Sequence, residues 1–266
     1  MSLKNLNAIK IPKNLRLKLS NKKIQRLFNS FEKNLNIQED FIVAVSGGPD
    51  SLALAFLTKV YSIKHNLSCK YFIVDHKLRK GSTKEAKKVQ KILNDFHIKS
   101  EILTWIGKKP SKNIQSLARK KRYDLLISKC KKLQITNLII GHHLDDLFEN
   151  FFIRILRGSG LNGLVSINQK TQYEKINLIR PLLNFDKKDL IYLSEYVFGW
   201  YIKDPSNIDD KFKRVKVRNL LKQLKLERLE KNKFLITIKN LKSSNETIKF
   251  YTKKNLLENI TFLEKK

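Results

Sequence analysis

Residues 46–51, Ser-Gly-Gly-Pro-Asp-Ser, bring two hydroxyls, a carboxylate and two glycines into six positions. Glycines let a backbone approach an anion closely, and a helix start directs N–H groups and the positive helix end at it. Gly47 and Gly48 would supply that approach, and Ser46 and Ser51 hydroxyl donors. Pro49 suits the first helical position, where its missing N–H costs little. The plainer reading is an ordinary strand-to-helix turn. A second concentration lies at 141–146, Gly-His-His-Leu-Asp-Asp. Imidazoles and carboxylates are the usual proton acceptors, so His142, His143, Asp145 and Asp146 are candidates for acid–base work or substrate binding. Adjacent histidines lack the H-x-x-x-H spacing of a zinc site, and two aspartates at a helix start are also what the helix dipole favours.

These residues need elements to hold them. The apolar run 41–45 (FIVAV) reads as a buried strand ending at the glycine loop, and further strand-like runs fall at 71–74, 100–105 and 137–140. Helical patterns separate them: Ser51 to about Ile63, Thr83 to Phe96 and Asn113 to Leu133. Strands alternating with helices imply βαβ units and a parallel sheet, whose strand C-terminal ends share one ligand-binding rim. Both chemical segments sit at that rim. Before the first strand, Ile24, Leu27, Phe28, Phe31 and Leu35 recur at helical spacing. After 137–140, Leu144, Leu147, Phe148, Phe151, Phe152, Ile155 and Leu156 form a broad helical stripe that Arg-Gly-Ser-Gly (157–160) ends. Asp186, with Asp189 three residues on, predicts a helix start close to a capping box. The fold class is therefore α/β, a parallel-sheet nucleotide-binding domain of Rossmann-like type followed by a small helical region. The organisation expected is a helical extension at 1–40, a catalytic domain at 41–210 and a basic helical region at 211–266, with the boundary near 205–215.

Composition limits the partners. Lys and Arg number 55 against 24 Asp and Glu, a formal charge of +31, which attracts polyanions, nucleic acid first and anionic membrane second. Abundant Lys, Asn and Ile also fit AT-rich coding. Two cysteines, Cys69 and Cys130, offer no Cys-x-x-Cys pairing and read as packing residues. No apolar stretch approaches the ~20 residues of a membrane span, and the first twenty residues lack the apolar middle of a secretory signal. A soluble cytoplasmic protein is the expectation.

The loop has no lysine of the Walker type, G-x-x-x-x-G-K-[ST]. It resembles instead the Ser-Gly-Gly-x-Asp-Ser loop of the PP-loop ATP pyrophosphatases, together with the preceding strand and following helix. Successive stretches then resemble one branch, the tRNA(Ile)-lysidine synthetase family: VDHKLR (74–79), ARKKRY (118–123), GHHLDD (141–146), RGSGLNGL (157–164), RPLL (180–183) and DPSN (204–207). The likeness covers roughly residues 41–219. Lys77 stands where that family usually has glycine, and Val215 where asparagine is common.

The resemblance implies ATP cleaved between its α and β phosphates, AMP loaded onto O2 of the wobble cytidine of a CAU-anticodon isoleucine tRNA, and displacement by the side-chain amine of free L-lysine to give lysidine. It implies ATP and Mg²⁺, with Asp50 and Asp146 as candidate metal carboxylates. Ser46, Gly47, Gly48, Pro49, Asp50, Ser51, Asp75 and His76 are then the ATP-binding candidates; Asp50, Arg119, His142, Asp145 and Asp146 the catalytic ones. Arg157, Arg214, Lys216 and Arg218, in a stretch that also carries Lys211, Phe212 and Lys213, are candidates for tRNA phosphates, although a solvated basic helix has the same composition. A homodimer is one assembly to consider. The alternatives are another PP-loop tRNA enzyme, a thiolase, and a non-catalytic RNA-binding protein.

Overall fold

The computed structural model describes residues 11–79, 81–107, 114–203, 213–226 and 230–260. Its elements fall into two compact units, Met1–Asp146 with Gln169–Asp204, and Leu147–Asn168 with Pro205–Lys266. The segment after Asp146 thus groups with the C-terminal residues, while the helices ahead of the first strand group with the sheet. Residues 204–212, which hold DPSN and most of the expected boundary, lie outside the described residues.

In the first unit α1 (Lys13–Leu19) and α2 (Lys22–Leu35) come first. Asn21 caps α2 by accepting from the N–H groups of Lys23 and Ile24. Ile24, Phe28, Phe31 and Leu35 are all buried, as their spacing predicts. Four strands and their helices alternate next: β1 (Phe41–Val45), α3 (Pro49–Lys64), β2 (Cys69–Asp75), α4 (Ser82–Asp95), β3 (Ser100–Thr104), α5 (Ile114–Leu133) and β4 (Asn137–Ile139); α6 (Leu144–Ile155) and α7 (Leu161–Leu164) follow, from Leu147 on as part of the second unit, and β5 (Lys170–Tyr173), β6 (Ile176–Ile179) and α8 (Lys187–Phe198) close the series. The six strands order as β3-β2-β1-β4-β6-β5.

Successive residues of β1 face opposite sides. Phe41, Val43 and Val45 join one apolar cluster with Leu52, Phe56 and Val60 of α3, while Ile42 joins another with Phe72, Leu126, Ile127 and Cys130. A strand covered on both faces is apolar throughout, which is why FIVAV does not alternate. Helix α3 is buried nearly all round, from Ser51 to Ser62, so its pattern is continuous rather than striped.

The expected α/β fold class is present, with one edge strand of opposite direction. The sheet is parallel from β3 through β6, but β5 runs antiparallel to β6. The hairpin turn is Glu174-Lys175, both with positive φ (47° and 67°). Such a turn ordinarily announces itself by Asn-Gly or Asp-Gly, and β5 is largely exposed, so neither turn chemistry nor apolar alternation marks it in the sequence.

Chain order reverses around β1: β2 and β3 lie to one side, β4 to the other. A crevice opens at such a switch point beyond the strand C-termini, and the two segments that follow β1 and β4 are 46–51 and 141–146.

In the second unit, the described part of α6 packs with α9 (Lys213–Leu226) and α10 (Lys231–Asn259). Phe148, Phe151 and Phe152 surround Phe234, with ring centroids 4.7, 5.0 and 5.4 Å away. Gly158, at φ 65°, ends the α6 turn region: its N–H donates to the Ile155 carbonyl and that of Ser159 to the Arg154 carbonyl, the paired bonds of a Schellman stop.

Candidate functional site

The loop between β1 and α3 is built tightly. Gly47 has φ 81°, its carbonyl accepts from the N–H of Ile202 at 2.8 Å, and a Cβ there would lie 2.5 Å from Val89 Cγ2 and 2.6 Å from Ile202 Cδ1. Only glycine satisfies both the dihedral and the space. Ser51 Oγ accepts from the backbone N–H of Ser46 and donates to the Gly48 carbonyl, with Ser46 Oγ 3.2 Å away. Helix α3 begins at Pro49 behind Gly48, and no side chain caps it. Its first-turn N–H groups are thereby left to an external acceptor, the arrangement that binds phosphate.

The segment 141–146 lies against this loop. A Cβ on Gly141 would already touch the backbone of Asp50 and Ser51 at 3.5 Å, so the two segments meet main chain to main chain. His143 precedes α6 and caps it in an unusual way: its Nδ1 accepts from the N–H of Asp145 at 3.2 Å, and Asp146 Oδ2 accepts from the N–H of His143 at 3.0 Å. This is the reciprocal logic of a capping box with imidazole in the place of a hydroxyl. With Nδ1 accepting, a neutral His143 carries its proton on Nε2. That nitrogen lies 3.4 Å from Asp146 Oδ2 and 3.7 Å from Asp50 Oδ2, and the side chain is 7% exposed. The carboxylates of the two segments therefore meet at one buried imidazole edge. Asp50 Oδ2 also accepts from Lys187 Nζ, on the first turn of α8, at 2.5 Å, while Asp50 Oδ1 is buried with no hydrogen-bond partner among the described residues.

His142 has a different environment. Its Nδ1 accepts from Arg180 Nε at 3.2 Å, and Arg180 Nη1 donates to Thr171 Oγ1 at 2.9 Å. Burial, together with the positive charges of Arg119, Arg180 and Arg122, lowers the His142 pKa to about 3 against the opposing pull of Asp146. Its imidazole is therefore neutral near pH 7, with the proton on Nε2: it offers a donor, and its basic nitrogen is taken. The sign of its linkage follows. An unfolded histidine binds a proton below about pH 6.5, whereas the folded one refuses it until about pH 3, so the unfolded state holds more protons in that window and stability falls as pH drops through it. Urea midpoints recorded from pH 7 to pH 4 are expected to fall less steeply in His142→Gln than in the parent; parallel curves would mean that His142 protonates equally in both states.

The family description "PP-loop domain" matches residues 17–224. The chain belongs to the PP-loop domain family. Curated relatives include the tRNA(Ile)-lysidine synthase of Orientia tsutsugamushi (strain Boryong), 44% identical over 198 residues, 74% of this chain and 44% of the relative. That of Rickettsia akari (strain Hartford) is 37% identical over 228 residues, 78% of this chain and 53% of the relative. The chain thus spans about half the length of these relatives. Among solved structures, the U34-tRNA thiolase NcsA from Methanococcus maripaludis with its [4Fe-4S] cluster aligns with a TM-score of 0.69 at 18% identity, covering 90% of this chain and 80% of that one, a likeness of fold.

Around the PP-loop the remaining expected residues separate. Asp75 ends β2 at the rim but its carboxylate is engaged: Oδ1 accepts from Lys77 N–H and Ser82 Oγ, and Oδ2 from Thr83 Oγ1 at 2.6 Å. Burial raises its pKa, yet these donors together hold it below the usual value. Its carboxylate staples the loop into α4, and its carbonyl accepts from the N–H of Trp105 at 2.9 Å. Lys77 sits at φ 50°, a conformation that costs a non-glycine residue about 1 kcal/mol or more, which accounts physically for the glycine usual at this place. His76 meets Trp105 edge to face at 6.3 Å. Arg119 is exposed, its guanidinium 5.5 Å from the Tyr123 ring centroid, while its charge still reaches His142.

In the second unit Arg157 and Lys216 line one cavity of about 320 Å³ floored by Ile153, Leu156, Val217 and Leu220. Arg214 is exposed. Arg218, 34% exposed, pairs with Glu149, 3% exposed, its Nε 2.5 Å and its Nη2 3.3 Å from the two carboxylate oxygens. Val215 is 6% exposed and packs as an apolar residue. Lys211 and Phe212 lie outside the described residues, and of Lys213 only the backbone is described.

Sequence reasoning did not single out Lys187, Arg180 or Glu149. Arg180 was visible as the first residue of RPLL without a role, Glu149 stood inside an apolar helical stripe, and Lys187 read as one more lysine after a helix cap. On α8 the expected Asp186 N-cap is present, but its side chain makes no capping bond and Asp189 turns to Lys23 at 2.8 Å, so the capping box does not form.

Proposed function

We propose that this chain carries the catalytic PP-loop part of a tRNA(Ile)-lysidine synthase, which ligates lysine to C2 of the wobble cytidine of a CAU-anticodon isoleucine tRNA at the expense of ATP. The observation that carries the reading is the convergence of Asp50 from the PP-loop and Asp146 from 141–146 on His143, in a chain 36–44% identical to relatives of that name. A nucleotide loop and a second acidic segment sharing one edge suit a two-step reaction in which an adenylate formed at the first is consumed at the second.

In the first step O2 of cytidine attacks the α phosphorus of ATP, and the α–β bridging bond breaks to release pyrophosphate. The uncapped start of α3 and the Gly47-Gly48 backbone hold the departing diphosphate. The buried, unpartnered Oδ1 of Asp50 fits a magnesium ligand, with Asp146 the second carboxylate nearby; Mg²⁺ ordinarily takes one or two carboxylates along with phosphate oxygens. Bound there, the ion would neutralise phosphate charge. In the second step the lysine amine attacks C2 and AMP leaves on O2. A free lysine ammonium has a pKa near 10.4, so it must give up a proton before attack. His142 does not accept it, its Nδ1 being filled by Arg180; Asp146 and Asp145 are the carboxylates at hand. His142 Nε2–H and Arg180 supply donors for the developing negative charge.

The thiolase alternative finds no support from the cysteines: burial raises the thiol pKa of both, that of Cys130 to about 11, and they belong to apolar clusters on opposite faces of the sheet. Isotope-labelled lysine incubated with the protein, ATP, Mg²⁺ and the CAU isoleucine tRNA is expected to appear in a modified cytidine by nucleoside mass spectrometry, with one pyrophosphate per lysine. Pyrophosphate release without lysine dependence, or no release at all, rejects the assignment; the latter is what a non-catalytic RNA binder predicts.

A further inference from the structure

The PP-loop has no lysine in its own sequence, yet the fold brings one to it. Lys187 lies 137 positions after Asp50, on the first turn of α8, which packs along α3 and is tied to the loop a second time by Ser194 Oγ donating to the Pro49 carbonyl at 3.1 Å. Its ammonium rests on Asp50 Oδ2 at 2.5 Å. Three features mark this pair as something other than a helix-to-helix pin. Asp50 is half-served, since its second oxygen is buried with no hydrogen-bond partner among the described residues. The lysine side chain keeps 34% of its exposure, so its ammonium end is open to a ligand from solvent. The pair also sits over the uncapped helix start that is built to receive an anion.

We infer that Lys187 is a phosphate-binding residue of this loop. Without nucleotide it neutralises Asp50; when the triphosphate occupies the loop, the ammonium transfers to the oxygens of its pyrophosphate end and Asp50 is released for the metal that accompanies the nucleotide. A lysine ammonium, a compact and rotatable point charge, serves either acceptor. The inference rests on the ATP-binding part of the function proposed above, not on the identity of the RNA or amine substrates.

The experiment compares affinities for ATP, inorganic pyrophosphate and AMP by calorimetric titration, without RNA or lysine, in the parent, Lys187→Gln, Lys187→Arg and Lys188→Gln. Lys188 is exposed beside Lys187 and controls for the loss of one charge. Lys187→Gln is expected to weaken ATP and pyrophosphate at least tenfold while AMP stays within about twofold, Lys187→Arg to retain most of the affinity, and Lys188→Gln to match the parent. If Lys187→Gln folds poorly, Lys187→Met keeps the stem and makes the same comparison. Unchanged pyrophosphate affinity, equal losses for AMP and pyrophosphate, or a parent protein that binds neither overturns the inference. A preserved split between pyrophosphate and AMP alongside absent lysine incorporation would reject the lysidine reading alone.

Discussion

Gly47→Ala is expected to lower unfolding stability by about 2–5 kcal/mol and to abolish ATP-dependent pyrophosphate release. Two independent costs add. An alanine at φ 81° forfeits about 1–2 kcal/mol of backbone preference. The new Cβ would also lie 2.5 Å from Val89 Cγ2 and 2.6 Å from Ile202 Cδ1, and forcing a methyl into such a site costs about 1–3 kcal/mol. Val89 is fully buried and cannot turn aside into solvent. Shifting the loop instead would strain the Gly47 carbonyl bond to Ile202 and displace Gly48, where α3 starts. Gly48→Ala is the matched comparison: its nearest neighbour would be Ser46 Oγ at 3.8 Å, and its φ of −72° suits alanine. It should fold with near-parental stability, so a loss of ATP affinity in Gly48→Ala marks a close approach by the ligand. Urea denaturation and a pyrophosphate assay read both; a Gly47→Ala protein with the parental midpoint would mean that the loop does not hold this conformation.

The second large effect concerns Asp146, for which a structural and a chemical role compete. Its Oδ2 accepts from the His143 N–H, a capping duty, and also lies 3.4 Å from His143 Nε2 at the edge shared with Asp50. Asparagine keeps an oxygen that can accept the same N–H but loses the charge and the proton-accepting capacity; alanine loses both. Asp146→Ala should therefore cost about 1 kcal/mol of stability for the cap, and Asp146→Asn much less. Lysine transfer should fall at least a hundredfold in both, the lower end of what a general acid–base group contributes, while ATP binding survives in Asp146→Asn. If Asp146→Asn forms product at the parental rate and only the alanine variant is destabilised, Asp146 is a cap and nothing more.

Much of this was legible in the residues. Four strands, the helices between them and the amphipathic helix before them fall close to their observed limits, because each carries a strong local signal: FIVAV is apolar throughout, and Ile24, Phe28, Phe31 and Leu35 mark one face. The loop from Ser46 to Ser51 shows hydroxyls, a carboxylate and two glycines by residue type, and its likeness to the PP-loop supplied the reading as a nucleotide loop. The β5–β6 hairpin escaped notice because Glu174 and Lys175 occupy a turn that usually carries Asn and Gly, and β5 has little buried surface to leave a pattern.

What the chain determined by itself is the list of reactive groups, the order of its elements and the rim on which they end, since local propensity and right-handed crossover connections settle these. What the tertiary structure decided is which of those groups are free to react. Asp75 and Asp50 both lie at the ligand rim as acidic residues, yet three donors occupy the Asp75 carboxylate while one Asp50 oxygen is buried with none among the described residues. His142 and His143 are neighbours in sequence, yet an arginine 38 positions away takes the basic nitrogen of the first and a helix N–H that of the second. The missing lysine of the loop comes from a different helix. Hydrogen bonding and desolvation depend on what folding brings within about 3 Å, and separation along the chain carries no record of that distance.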